Sequence, residues 1–190
     1  MSLNWDKGFT IDFDLKTGLS NAVESTKRKV SNMKGMYLDS GSEMKLIESG
    51  DPLVYEFHEI GAPEDSGDIA AGTSIVYPGK VGDEYNMTAG HFHTILETAE
   101  VYYCLSGEGY MMCENKDGDW VAYQLKAGEM VYVPKGYAHR SINVGDVPLV
   151  TFFAFRADAG HDYGTIKERG FKKLVVEVNG KPEIIDNPRY

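Results

Sequence analysis

Three histidines and an acid are the residues in this sequence best equipped for chemistry. His91 and His93 flank Phe92 in the run Gly90-His91-Phe92-His93. In extended backbone, alternate side chains share a face. Both imidazoles therefore point one way and Phe92 the other, which supplies two metal ligands from one short segment. A third ligand comes from Glu97 or Glu100. The stretch from Thr94 to Ala99 reads as a connection, whereas Glu100 opens the strand-like run Val101-Tyr102-Tyr103-Cys104. A ligand at a strand start is held more rigidly than one in a loop, which favours Glu100 and leaves Glu97 as runner-up. His139 is the fourth candidate, after the turn-rich segment Pro134 to Ala138. Three imidazoles and a carboxylate are borderline donors that suit Fe(II), Mn(II), Ni(II), Co(II) or Zn(II) without choosing among them. Octahedral binding by four protein groups would leave two adjacent positions open for two oxygens of one substrate.

Other reactive types read as structural. His58, in the alternating run LVYEFHEI, should be a packed residue on the face opposite Tyr55. Met111 and Met112 read as core filler. Arg140 and Lys80 read as surface charges. Cys104 and Cys113 flank the turn-like Ser106-Gly107-Glu108-Gly109. A disulfide is within reach, but reduced core thiols are expected where no secretion signal is seen.

The elements that must position these groups are strands. From Pro52 to about residue 158, short β-rich runs recur between Gly, Asp and Asn: PLVYEFHEI, GTSIVYPG, EVYYCLSG, GYMMCE, WVAYQL, EMVYVP and VPLVTFFAF. That spacing predicts an all-β sandwich or barrel, and no βαβ alternation competes with it. Residues 1 to about 50 form a lead-in. Within it the charged stretch Asn21 to Met33 is expected to be a short helix, and Ser40 with Glu43 offers a capping box before a helical stretch from Glu43 to Ser49. The opening Met-Ser-Leu is given no structural weight. The tail holds one more strand-like run, KLVVEV, and a polar end. The whole reads as a single domain over 1–190, with its barrel core at about 51–158 and a C-terminal extension at about 159–190.

Bulk properties narrow the partners. The chain of 190 residues carries a net charge of −10, with 29 acidic and 19 basic side chains. Nucleic acid is excluded as a partner because phosphate-backbone binding needs a dense basic face. No apolar run is long enough to span a bilayer and no signal peptide is evident, so no membrane partner and a cytoplasmic location are expected.

The sequence resembles the cupin superfamily in two motifs. The first takes His91, His93 and an acid, then six residues to a glycine; Gly107 stands at that distance from Glu100, which selects Glu100 over Glu97. The gap between His93 and Glu100 is longer than the usual pattern. The second motif is matched without a gap by Gly128, Pro134, Gly136, His139 and Asn143. From Tyr55 onward the chain is also similar to the cupin-type glucose-6-phosphate isomerases. The phrases that carry this are YPGKVG at 77–82, TAGHFH at 88–93, AEVYYCLSGEG at 99–109, YVPKGYAHRSIN at 132–143, ADAGHDYGTI at 157–166 and DNPRY at 186–190.

That resemblance implies a cupin double-stranded β-helix, or jelly roll, with a short N-terminal helical or extended decoration. It implies a homodimer with one divalent metal per chain, Fe(II) first, held by His91, His93, Glu100 and His139. The activity implied is interconversion of glucose 6-phosphate and fructose 6-phosphate, a step of glycolysis and gluconeogenesis. Tyr55, Ser74, Thr88, Gly90 and Tyr102 would bind the sugar phosphate, with Arg140 placed to help steer it. Glu100, His161 and Tyr163 would act in catalysis. Ser74 replaces the family's Thr and keeps the hydroxyl; Phe155 replaces a Tyr and loses one, so it is left out of the site. The alternatives are another metal-dependent cupin enzyme, such as a dioxygenase, and a non-catalytic sugar-binding cupin. The ADAGHDYG tail and the Thr88–Gly90 phrase speak against the first; the intact ligand set, with no helix-turn-helix pattern or basic module, speaks against the second.

Overall fold

The β-rich runs become antiparallel strands in the structure, a computed structural model that describes residues 3–190; Met1 and Ser2 lie outside the described residues. In chain order the strands are β1 (Thr26–Lys29), β2 (Leu53–Ile60), β3 (Ile69–Val76), β4 (Lys80–Val81), β5 (Glu84–Tyr85), β6 (Glu100–Ser106) and β7 (Glu108–Asn115). They continue with β8 (Trp120–Lys126), β9 (Met130–Val133), β10 (Tyr137–Asn143), β11 (Leu149–Arg156), β12 (Lys173–Val178) and β13 (Lys181–Asp186). Two short helices, α1 (Ser40–Glu48) and α2 (Gly164–Arg169), complete the described elements together with 3-10 turns at Val30–Met33 and Ala157–Ala159.

A six-stranded sheet runs in the order β1-β2-β3-β11-β6-β9, and a three-stranded sheet in the order β10-β7-β8. The chain alternates between them: β6 lies in the larger, β7 and β8 in the smaller, β9 in the larger, β10 in the smaller and β11 in the larger. This repeated crossing is the winding of a jelly roll, as expected. The inner faces share one core. On β6 the buried Glu100, Tyr102 and Cys104 alternate with the outward Val101 and the exposed Tyr103. Across the interior, β7 contributes the fully buried Met111 and Cys113. Both cysteines are free thiols. The crossing from β6 to β7 takes a single residue, Gly107, at φ +79; a Cβ there would stand 2.4 Å from the Pro148 carbonyl oxygen. A third sheet, β13-β12-β5-β4, adds Val81, Tyr85 and Val175 to the same core.

Several local expectations are corrected. Residues 21–29 form no helix: Thr26–Lys29 is β1, which pairs with β2 and brings Arg28 opposite Tyr55. Its alternation of half-buried and exposed residues has the period of a strand, and the edge of β2 supplies the hydrogen bonds that a helix would have made internally. Helix α1 starts at Ser40 rather than Glu43. Its cap is Asp39, whose carboxylate accepts from the Ser42 amide at 2.9 Å. Glu43 does not close a capping box; it accepts instead from the Gly35 amide at 2.9 Å. The segment after Pro134 is less of a turn than expected, because Tyr137–Asn143 is a full strand paired with β7. The tail after KLVVEV forms β13 and a hairpin with β12. Among the described residues, no helix is long and apolar enough to cross a membrane.

Candidate metal centre and substrate cleft

The segment carrying His91 and His93 is not a regular strand but a clasp between β10 and the loop that carries Asp162. His91 exchanges backbone hydrogen bonds with His139 on β10: His139 N donates to His91 O at 3.1 Å and His91 N to His139 O at 3.3 Å. Phe92 exchanges them with Asp162: Asp162 N donates to Phe92 O at 2.8 Å and Phe92 N to Asp162 O at 3.1 Å. The two-residue period still holds. Phe92 is fully buried, while the His91 and His93 rings turn together into the barrel with centroids 5.7 Å apart. The same alternation applies around Asp162, so His161 and Tyr163 fall on the histidine side. Their ring centroids lie 4.5 Å and 5.2 Å from that of His91.

Glu100, at the head of β6, and His139, on β10, complete the cluster. One ligand atom from each of His91, His93, Glu100 and His139 lies within 4.8 Å of all the others. Glu100 is 3% exposed. Glu97 is on the surface, with its side chain 74% exposed and paired with Lys135. Burial alone would push the Glu100 carboxyl up; the His139 imidazole beside it overcomes this and holds the group well below the usual carboxylate range. Burial, then the neighbouring His139, holds His91 well below its ordinary value, so its ring is neutral and keeps a lone pair.

The donor set fits a cation. The Thr98 hydroxyl gives its one proton to the Ile95 carbonyl oxygen at 2.7 Å, so at 2.7 Å from His93 Nδ1 it must accept. His93 Nδ1 is thus the protonated nitrogen, and in the neutral ring Nε2 is bare. That bare nitrogen faces Glu100 Oε2 at 3.0 Å. Two lone pairs so close repel unless a cation or a proton lies between them. His139 Nε2 stands 2.9 Å from the same oxygen without the alignment of a hydrogen bond, and His91 Nε2 is buried with no partner. Buried polar atoms left so are rare, and here they converge.

The cleft above this cluster is lined by the residues the sequence singled out: Tyr55, Ser74, Thr88, Gly90, Tyr102, His161 and Tyr163, together with His91, Glu100 and His139. Tyr102 packs 5.5 Å from the His139 ring; burial, then the Glu100 charge, keeps its hydroxyl protonated. The Thr88 hydroxyl accepts from the Ser141 amide at 3.0 Å, which leaves its own proton free to donate. Gly90 has φ +75, and a Cβ there would meet the Phe171 ring at 2.7 Å, so the turn admits no larger residue.

The sequence reading missed Phe57, Glu59, Ser141 and Phe153, and set Phe155 aside; all five line the cleft. Strand alternation was the available signal: Phe57 and Glu59 follow Tyr55 by two and four on β2, and Ser141 follows His139 by two on β10. Phe155 lies 5.6 Å from the His93 ring and 5.4 Å from that of His161, an apolar wall beside the cluster. Arg140 is not a surface charge. It is 3% exposed, donates from Nη2 to the Ala89 carbonyl oxygen at 2.7 Å and lies 4.2 Å over the Phe171 ring. Burial lowers its pKa to about 10, so it stays charged at neutral pH and fixes the Thr88–Gly90 turn from behind. Lys80 does lie at the surface, paired with Glu177. His58 is packed as expected, with Nδ1 donating to the Val23 carbonyl oxygen at 2.9 Å.

Comparison with known proteins gives concordant findings. The family model described as glucose-6-phosphate isomerase (GPI) matches residues 27–188. The glucose-6-phosphate isomerase of Thermococcus litoralis is 43% identical over 188 residues, covering 99% of each chain. That of Pyrococcus abyssi is 44% identical over 183 residues, covering 96% of each. Among solved structures, a Bacillus subtilis oxalate decarboxylase is 28% identical at a TM-score of 0.44, over 56% of this chain and 27% of that one.

Proposed function

Since the chain belongs to the glucose-6-phosphate isomerase family, we propose that it interconverts glucose 6-phosphate and fructose 6-phosphate in the cleft above the histidine cluster. The observation that carries this reading is the convergence of three imidazoles and one buried carboxylate beneath a wall of hydroxyl donors. His91, His93, Glu100 and His139 would hold one divalent metal, Fe(II) first. When bound, that ion supplies Lewis-acid polarisation of the sugar's C1 and C2 oxygens.

The rest falls to the chain's own side chains. Glu100, an ionised carboxylate, takes the proton from C2 of the open-chain aldose as the C1 oxygen gains one, giving an enediol; it returns the proton to C1 as the O2 hydroxyl gives up its own and the C2 carbonyl forms. The Tyr102 phenol, protonated and next to Glu100, donates to a substrate oxygen. His161 and Tyr163, stacked at 5.8 Å on the rim, engage the sugar hydroxyls and the ring oxygen that must be freed for opening. Tyr55, Ser74, Thr88 and the Gly90 amide donate neutral hydrogen bonds along the sugar phosphate. Phe153 and Phe155 exclude water from the carbons. The protein would act as a cytoplasmic homodimer.

The test is a coupled isomerase assay on protein stripped of metal and reloaded in turn with Fe(II), Mn(II), Ni(II), Co(II) and Zn(II). Turnover restored by at least one metal is the expected result; none with any metal would sink the reading. Solvent deuterium at the transferred position marks the proton route, and full retention of the substrate hydrogen marks direct hydride transfer between the carbons.

A further inference from the structure

The protein carries a net charge of −10, yet one basin of its surface has no carboxylate in its lining. It opens beside the catalytic cleft and shares Tyr55, Ala89, Gly90 and Tyr163 with it. Its other walls come from the 3-10 turn Val30–Met33, from Arg28 and Lys34 on either side of that turn, and from Lys167 on α2. None of these three cations pairs with an acid among the described residues.

Arg28 is aimed by register. It stands directly opposite Tyr55 in the β1–β2 pair, and directly opposed residues share a face. Its guanidinium is near enough to the Tyr55 and Tyr163 phenols to oppose the upward push that burial gives both. Asn32 turns its Oδ1 to the Lys29 amide at 2.8 Å, which leaves its side-chain amide group free to donate. Asp51 is taken up by the Ser31 amide at 2.8 Å and hydroxyl at 2.7 Å. The charged side chains in the basin's lining are thus all cations.

We propose that this basin is a phosphate subsite, in which Arg28, Lys34 and Lys167 capture the phosphate monoester of the sugar as it enters the cleft. The inference deepens the isomerase reading and rests on it for the identity of the sugar. It adds a charged grip to the neutral one of Ser74, Thr88 and Gly90. In an acidic protein such a patch also offsets the general repulsion of an anionic substrate, most strongly within the Debye length of about 8 Å at physiological salt.

The experiment uses metal-loaded protein and two readouts. Isothermal titration with inorganic phosphate compares the native chain with the triple variant Arg28→Gln, Lys34→Gln, Lys167→Gln. The expected result is affinity weakened about tenfold, as about two- to threefold per exposed charge implies. Equal phosphate affinity in the two proteins, or no phosphate binding by the native chain, overturns the proposal. The isomerase assay then separates the sources of phosphate: KM for glucose 6-phosphate rises by a similar factor, and its dependence on salt flattens. The double variant Lys34→Gln, Lys167→Gln leaves β1 untouched and is expected to lose about fivefold, which guards against a misfolded strand as the cause. Phosphate binding that depends on the three cations, in a protein without turnover, would remove the isomerase reading alone. Turnover with an unchanged KM in the triple variant would remove the subsite alone.

Discussion

Glu97 and Glu100 are separated by one turn of loop, and burial divides their roles. Losing a base that acts in the transition state lowers rate by about a hundredfold to ten-thousandfold, so Glu100→Gln should cut isomerase turnover by that order with metal in excess. Glu97→Gln should leave turnover near native and shift stability by no more than about 0.5 kcal/mol, as at other exposed sites; inactivity in the Glu97 variant would overturn the assignment. Thr98 acts one bond further out. Thr98→Val removes the nearer of the two Thr98 acceptors at His93 Nδ1 and leaves the backbone carbonyl at 3.4 Å; lost partners of this kind lower metal affinity by about 10–100-fold. Competition against a chelator of known affinity would measure it, and unchanged affinity would mean that His93 needs no such partner. At this scale the sequence made the ligands legible, because alternation around Phe92 depends only on extended backbone. It hid the Thr98 contact, which arises from a loop fold, and misplaced Arg140, because a lone charge is ordinarily solvated.

At the scale of elements, the strand runs were legible wherever apolar residues alternated with polar ones, as in β2 and β6. The N-terminal edge was not. Thr26–Lys29 is a strand only because β2 offers it a partner, and nothing local in four polar residues announces that. Its correction matters to function, since the strand and no helix of the same residues sets Arg28 against Tyr55. β10 was obscured by the turn residues before it, although its pairing with β7 is what brings His139 to the cluster. The single-residue crossing at Gly107 gives an element-scale prediction. Any side chain there meets both a left-handed backbone and the Pro148 carbonyl. Gly107→Ala should therefore destabilise by about 1–3 kcal/mol, read as a lowered midpoint in urea with little change in slope. A native midpoint would mean that the β6–β7 crossing can relax.

For the whole molecule, the metal and the fold should be linked. Ligands drawn from the clasp, from β6 and from β10 meet only in the folded barrel, so metal binds the native state and not the unfolded chain. At a free concentration of 100 times its Kd, such a ligand stabilises by about 2.7 kcal/mol. For a chain of this size that corresponds to a Tm lower by about 5–10 °C after chelation, measurable by calorimetry; an unchanged Tm would place the cluster outside the folding unit. The clasp itself has a temporal consequence. His91 and Phe92 have no local partner: one side waits for His139 and the other for Asp162. A chain made from its N-terminus therefore presents His91 and His93 well before either neighbour exists, and the rim carrying His161 and Tyr163 closes only once synthesis has passed them. The pocket is among the last parts of the barrel to be assembled, so loading of the ion belongs to the finished chain rather than to the nascent one.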